Sequence, residues 1–217
     1  MKLPKQTVLT ASIFAALLSV TAPVSANIQG HTKLTSNSNK FTETGAALRD
    51  LWVGHIFWTR NVVVETFAGN AAAANAAEGQ AVANARQIAA AMEPFYGKAA
   101  AEKLFDLLAG HYGAVKQYLQ ATVANSSQRQ DAAIKDMGGN ADEIAVFLSS
   151  ANPNLPVATL RGMLLAHGGH HVQQIKQLRD KQYAEEAQTW EGMKGHMYGI
   201  ADALTGAIAK QFPAKFK

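Results

Sequence analysis

Three of the seven histidines in this 217-residue chain fall within five residues: His167, His170 and His171. His167 and His171 are four apart, so on a helix they share one face, with His170 their neighbour. The apolar residues Leu160 and Leu164 lead into that face and predict that it points inward. A buried imidazole needs a partner, and a metal ion is one kind. Neutral imidazole suits zinc, copper, nickel or iron and is a poor ligand for magnesium or calcium. His55, His111 and His196 stand in apolar stripes of their own, so the first question is whether these rings meet.

The stripes come from helices. Leu48, Leu51, His55, Trp58, Val62 and Glu65 recur at threes and fours and predict a helix over about 43–68. An alanine-rich helix follows over about 72–92, with Pro94 as its stop. Leu104, Leu107, Leu108, His111, Val115, Tyr118 and Leu119 mark a third helix over 97–123. Ser127 with Gln130 reads as a capping box for a fourth. Gly138-Gly139 interrupts that helix in this reading, and Asn140 with Glu143 caps a second segment. After the linker Asn152-Pro153-Asn154-Leu155-Pro156, a fifth helix runs over 156–182 and carries Leu160, Leu164, His167, His171, Ile175 and Leu178 inward. A sixth runs over about 184–211 with Trp190, Met193, His196, Met197, Ile200 and Leu204 inward. No strand pattern competes. The expected fold is all-α, an up-and-down antiparallel bundle of about six helices, in one domain over 43–217.

Each candidate histidine lies about 10 to 14 residues into its helix, near the middle at 1.5 Å per residue. Helices one, three, five and six can therefore each deliver an imidazole to one level, which is how metal sites in bundles are built. The expected ligands are His55, His111, His167, His171 and His196, for zinc, copper or iron. Glycines flank them (Gly54, Gly110, Gly113, Gly168, Gly169, Gly195, Gly199), each costing about 1 kcal/mol against alanine in a helix. Space is needed there, either for close helix packing or for something bulky beside the rings. The second case points to haem, without the Cys-x-x-Cys-His of covalent attachment. Met163, Met193 and Met197 lie near the candidates and suit copper or plain core filling. A third reading has the histidines merely packed in a structural or interaction protein.

The N-terminus reads as a cleavable export signal over 1–26: Lys2 and Lys5, an apolar stretch over 8–20, then Val24-Ser25-Ala26. A polar leader over 27–42 follows. The expected location is periplasmic or secreted. Loss of the signal takes the formal charge from +4 to +2, too little to argue for nucleic acid. There is no cysteine, so neither disulfides nor thiolate ligands are available. The body contains no run of about 20 apolar residues, so no internal transmembrane helix is expected.

Four short motifs carry a resemblance. Leu51-Trp52-x-x-His55-x-x-Trp58-Thr59-Arg60, Pro94-Phe95-Tyr96-Gly97, Asn140-Ala141-Asp142-Glu143-Ile144-Ala145 and Gln211-Phe212-Pro213 resemble an uncharacterised bacterial helical-bundle family of exported or cell-associated proteins. The resemblance covers about residues 48–213. It implies the helical fold and carries over His55, His111, His167 and His196, while His170 and His171 depart from the family's pattern. It supplies no activity. Some such proteins bear a glycosyltransferase label, but this chain has no α/β nucleotide-sugar pattern and no acidic metal-diphosphate motif.

Overall fold

The computed structural model describes residues 40–217, and the signal segment, His31 and most of the polar leader lie outside them. Six α-helices follow one another: α1 (Lys40–Phe67), α2 (Ala71–Tyr96), α3 (Lys98–Val123), α4 (Ser127–Ala151), α5 (Val157–Arg179) and α6 (Tyr183–Gln211). A short 3-10 turn, Pro213–Phe216, ends the chain. The described residues contain no strand, and the all-α bundle read from the stripes is the fold. No helix among them is long and apolar enough to cross a membrane.

The order in the ring follows the order in the chain. Each helix packs on its sequence neighbours and α6 closes back on α1, while α1, α3 and α5 also meet one another at the centre. The reason is an internal repeat of 56 residues, visible once the structure is in hand. Helices α1, α3 and α5 end at Phe67, Val123 and Arg179, and their partners begin at Ala71, Ser127 and Tyr183. The residue that breaks each first helix has positive φ in all three cases: Gly69, Asn125 and Lys181. Leu48, Leu104 and Leu160 are equivalent, as are Ile88, Ile144 and Ile200, and all six are buried. The described residues form three helical hairpins, α1–α2, α3–α4 and α5–α6, arranged as a pseudo-three-fold ring.

One hydrogen bond recurs in each hairpin. Asn84 Nδ2 donates to the Leu51 carbonyl at 3.0 Å, and Asn140 Nδ2 to the Leu107 carbonyl at 3.0 Å. In the third hairpin His196 Nε2 meets the Met163 carbonyl at 2.8 Å. A carbonyl only accepts, so that nitrogen carries the ring's proton. This clamp explains two of the glycines. A Cβ on Gly54 would stand 2.9 Å from Asn84 Nδ2, and one on Gly110 would stand 3.1 Å from Asn140 Nδ2. The equivalent residue of the third hairpin, where the clamp is a histidine, is Ala166.

Four sequence expectations are corrected. Helix α4 runs unbroken through Gly138-Gly139, because Asn140 sends its side chain across to α3 instead of capping a new segment. Its N-cap is Ser126, whose hydroxyl accepts from the Arg129 N–H, one residue before the expected cap. Helix α2 passes Pro94 and stops at Tyr96, where Gly97 at φ 81° ends it. The predicted leader also gives up residues 40–42 to α1.

Two of the four motifs, at 94–97 and 211–213, meet at one end of the bundle. Asn152 Nδ2 donates to Tyr96 Oη at 2.9 Å, and Tyr96 donates to Gln211 Oε1 at 3.0 Å. Phe95 packs on Phe212 and lies flat against Phe216. These motifs fasten the hairpin junctions rather than build a reactive site.

Candidate metal centre

The histidines form a polar layer between two apolar clusters. On one side lie Trp52, Ile56, Leu104, Leu108, Leu160 and Leu164. On the other lie Val62, Val63, Val115, Tyr118 and Ile175. Each residue reaches the layer because its stripe points to the centre of the ring, and the 56-residue period sets His55, His111 and His167 at the same depth in α1, α3 and α5.

His55, His111, His167 and His171 are all buried, and each offers a ring nitrogen within 4.8 Å of the others. The ring centres of His55 and His111 are 6.1 Å apart, those of His55 and His167 5.5 Å, and those of His111 and His167 5.2 Å. His171 lies 6.0 Å from His55, 5.9 Å from His111 and 4.5 Å from His167. An ion held at about 2.0–2.1 Å by four imidazoles would set the ring centres ~5.2 Å apart and the nitrogens ~3.3 Å apart. The observed ring centres, 4.5 to 6.1 Å apart, bracket that size, and the nitrogens, within 4.8 Å of one another, form a looser set that an ion would draw in. His167 and His171 already have their Nε2 atoms 3.2 Å apart.

The electrostatics favour neutral rings. Burial is the main cause and pushes His55 down to about 3, with the nearby His111 adding to it. Burial alone lowers His111 to about 4. His167 and His171 are driven well below the ordinary value, again by burial first and by the neighbouring imidazoles second. At neutral pH all four rings are uncharged, and the neutral ring is the form that binds metal. His55 Nε2, His111 Nε2 and His167 Nδ1 are buried without a hydrogen-bond partner. An unsatisfied buried polar atom costs about 1–3 kcal/mol, so three together are large beside a total stability of about 5–15 kcal/mol. A cation at the centre would satisfy the Nε2 atoms. One of His167 and His171 carries its proton on the shared Nε2, and coordination through both would move it to Nδ1.

His196 does not join the group. The buried stripe of α6 runs through Met193, Met197, Ile200 and Leu204, and His196 stands at its edge, half-buried. Its ring does the work of Asn84 and Asn140 and packs on His170 at 5.6 Å. Burial, then His196, lowers the pKa of His170, which belongs to this outer pair. The equal-depth argument located His196 correctly along its helix and placed it wrongly around it. Gly168-Gly169 leaves α5 intact, so His167 and His171 keep their common face.

Other candidates have structural partners. Arg60 makes two bonds to Glu186, each 2.6 Å, and Gln174 adds a third at 2.9 Å, so that buried carboxylate is satisfied. Asp202 pairs with Arg49, not with His196. Asp142 pairs with Arg161. Met193 and Met197 are fully buried in the apolar cluster around Trp52, Ile200 and Leu204. Gly54 and Gly110 accommodate the asparagine clamps and Gly168 faces Met137, and the four rings stand too close together to take a porphyrin plane between them. The haem expectation fails on that spacing. In comparisons with known proteins, no family model, no curated protein and no solved structure matches this chain.

Proposed function

We propose that the protein binds one transition-metal ion, zinc, copper or iron, between His55, His111, His167 and His171. The observation that carries the reading is the tetrahedron of four buried neutral imidazoles with nitrogens mutually within 4.8 Å. Its ring spacing, the unpartnered Nε2 atoms of His55 and His111, and the burial that keeps the four rings neutral support it. All-nitrogen donation suits these metals. Titration of metal-stripped, untagged protein against a chelator of known affinity tests it. One ion bound per chain, and its loss in His111→Ala, is the expected result. Binding no tighter than that of surface histidines would leave the packed-histidine reading, which His196 already exemplifies.

The compartment belongs to the same proposal. The Lys2 and Lys5 start, the apolar stretch and Val24-Ser25-Ala26 support export to the periplasm or medium with a mature N-terminus at Asn27. The four motifs support kinship with the bacterial helical-bundle family. N-terminal sequencing of exported protein that began at Met1 would overturn the cleavage.

A further inference from the structure

Position 171 is where the third hairpin departs from the other two. One turn beyond the equivalent histidines His55, His111 and His167 come Thr59, Val115 and His171. All three are 2% exposed, so all three face the interior. The Thr59 hydroxyl turns back and donates to the His55 carbonyl at 2.9 Å. Val115 has no donor atom. Only the third hairpin puts a nitrogen there.

The repeat separates the two kinds of histidine: three stand at equivalent positions, one in each hairpin, and His171 has no equivalent. His55, His111 and His167 make a near-regular triangle of ring centres, 5.2 to 6.1 Å on a side, one corner from each hairpin. The three distances from His171 to those corners, 6.0, 5.9 and 4.5 Å, are met by no point in the plane of the triangle. His171 therefore stands out of that plane, and the four rings form a tetrahedron with His171 on one side of the three equivalent ones. Three imidazoles on one side of an ion leave a fourth tetrahedral position open, as in catalytic zinc sites, whereas four protein ligands close it.

We propose that His55, His111 and His167 are the metal-holding platform, shared equally by the three hairpins, and that His171 is a closing ligand that bars small anions from the fourth position. The proposal rests on the metal-centre reading above. It divides the four residues by role: loss of a platform histidine breaks the site, and loss of His171 opens it. With valine at 171, the open position would be walled by Thr59, Val115 and the new side chain.

Cobalt(II), whose visible spectrum reports coordination number and ligand exchange, is the probe, and azide is the small anion. Wild type, H171V and H111A are compared as full, untagged chains, with folding checked by circular dichroism. Wild type should take one cobalt per chain with a four-coordinate spectrum that azide does not move. H171V should still bind one cobalt, more weakly, and its spectrum should shift saturably with azide. H111A should lose binding. H171T, which copies the first hairpin, serves if H171V does not fold. A wild-type chain that takes no cobalt would sink the metal-centre reading itself. If wild type binds and folded H171V or H171T does not, the platform idea is overturned. Cobalt in the variant that ignores azide, or a wild-type spectrum that responds to it, overturns the closing role.

Discussion

Acid should unfold the metal-free protein through the histidine layer, and the size of the effect can be worked out. His55 titrates near 3 and His111 near 4 in the folded chain, against about 6.5 unfolded. Below pH 6.5 the unfolded state binds protons that the folded state refuses, so stability falls as pH falls. Each such ring costs ~0.8 kcal/mol at pH 6 and ~2 kcal/mol at pH 5, and the loss continues down to the folded pKa. His167 and His171 shift in the same direction. His55 and His111 together lose ~4 kcal/mol at pH 5, with a slope of up to ~2.7 kcal/mol per pH unit, a large share of the stability of a domain. The assay is urea unfolding of metal-stripped protein, followed by circular dichroism from pH 7.5 to 4.5. Metal at a hundred times its dissociation constant adds ~2.7 kcal/mol and should move the acid midpoint down by up to roughly one pH unit. His111→Gln should flatten the slope by ~1.4 kcal/mol per unit. Stability that stays level between pH 7 and 5 would refute the reasoning, because the rings would then accept protons in the fold.

Other outcomes follow from the hairpin clamps and the buried ion pair. His196→Asn, copying Asn84 and Asn140, should keep both the fold and metal binding, while His196→Ala should cost about 0.5–1.5 kcal/mol in urea unfolding through loss of the bond to the Met163 carbonyl, which keeps its partner within α5. Gly54→Ala should lower the melting temperature because its Cβ would stand 2.9 Å from Asn84 Nδ2; Gly113→Ala, with nothing within 4 Å, should raise stability by up to ~1 kcal/mol. Arg60→Ala would leave the buried Glu186 carboxylate with Gln174 alone, a loss at or below the low end of about 3–5 kcal/mol because Arg60 is partly exposed, and Arg60→Ala/Glu186→Gln should recover part of it.

Much of the fold is legible in single-helix stripes. The runs Leu48–Trp52–His55–Ile56 and Leu160–Leu164–His167–His171 point inward because burial of one face is what holds each helix in place. Depth along a helix follows from counting residues, which is why His55, His111 and His167 could be set on one level from the sequence. Rotation around the helix is finer. A 100° step separates Met197 from His196, and only the neighbouring hairpins decide which of the two faces the centre. Asn140 shows the same ambiguity, since a short amide before a glutamate looks like a cap until a carbonyl across the helix pair claims it. The signal that resolves both is the 56-residue period. Reading Asn84, Asn140 and His196 as one position assigns His196 to the clamp, and reading Thr59, Val115 and His171 as one position marks His171 as the exception.

The most direct test is X-ray absorption of the loaded protein, with zinc or copper added at one equivalent to metal-stripped, untagged chain. Four nitrogens at about 2.0–2.1 Å, with the outer-shell scattering of imidazole rings, are expected for zinc. Replacing His55 with Ala should abolish that shell. A first shell dominated by oxygen, or one that survives the loss of His55, would contradict a metal centre built from His55, His111, His167 and His171.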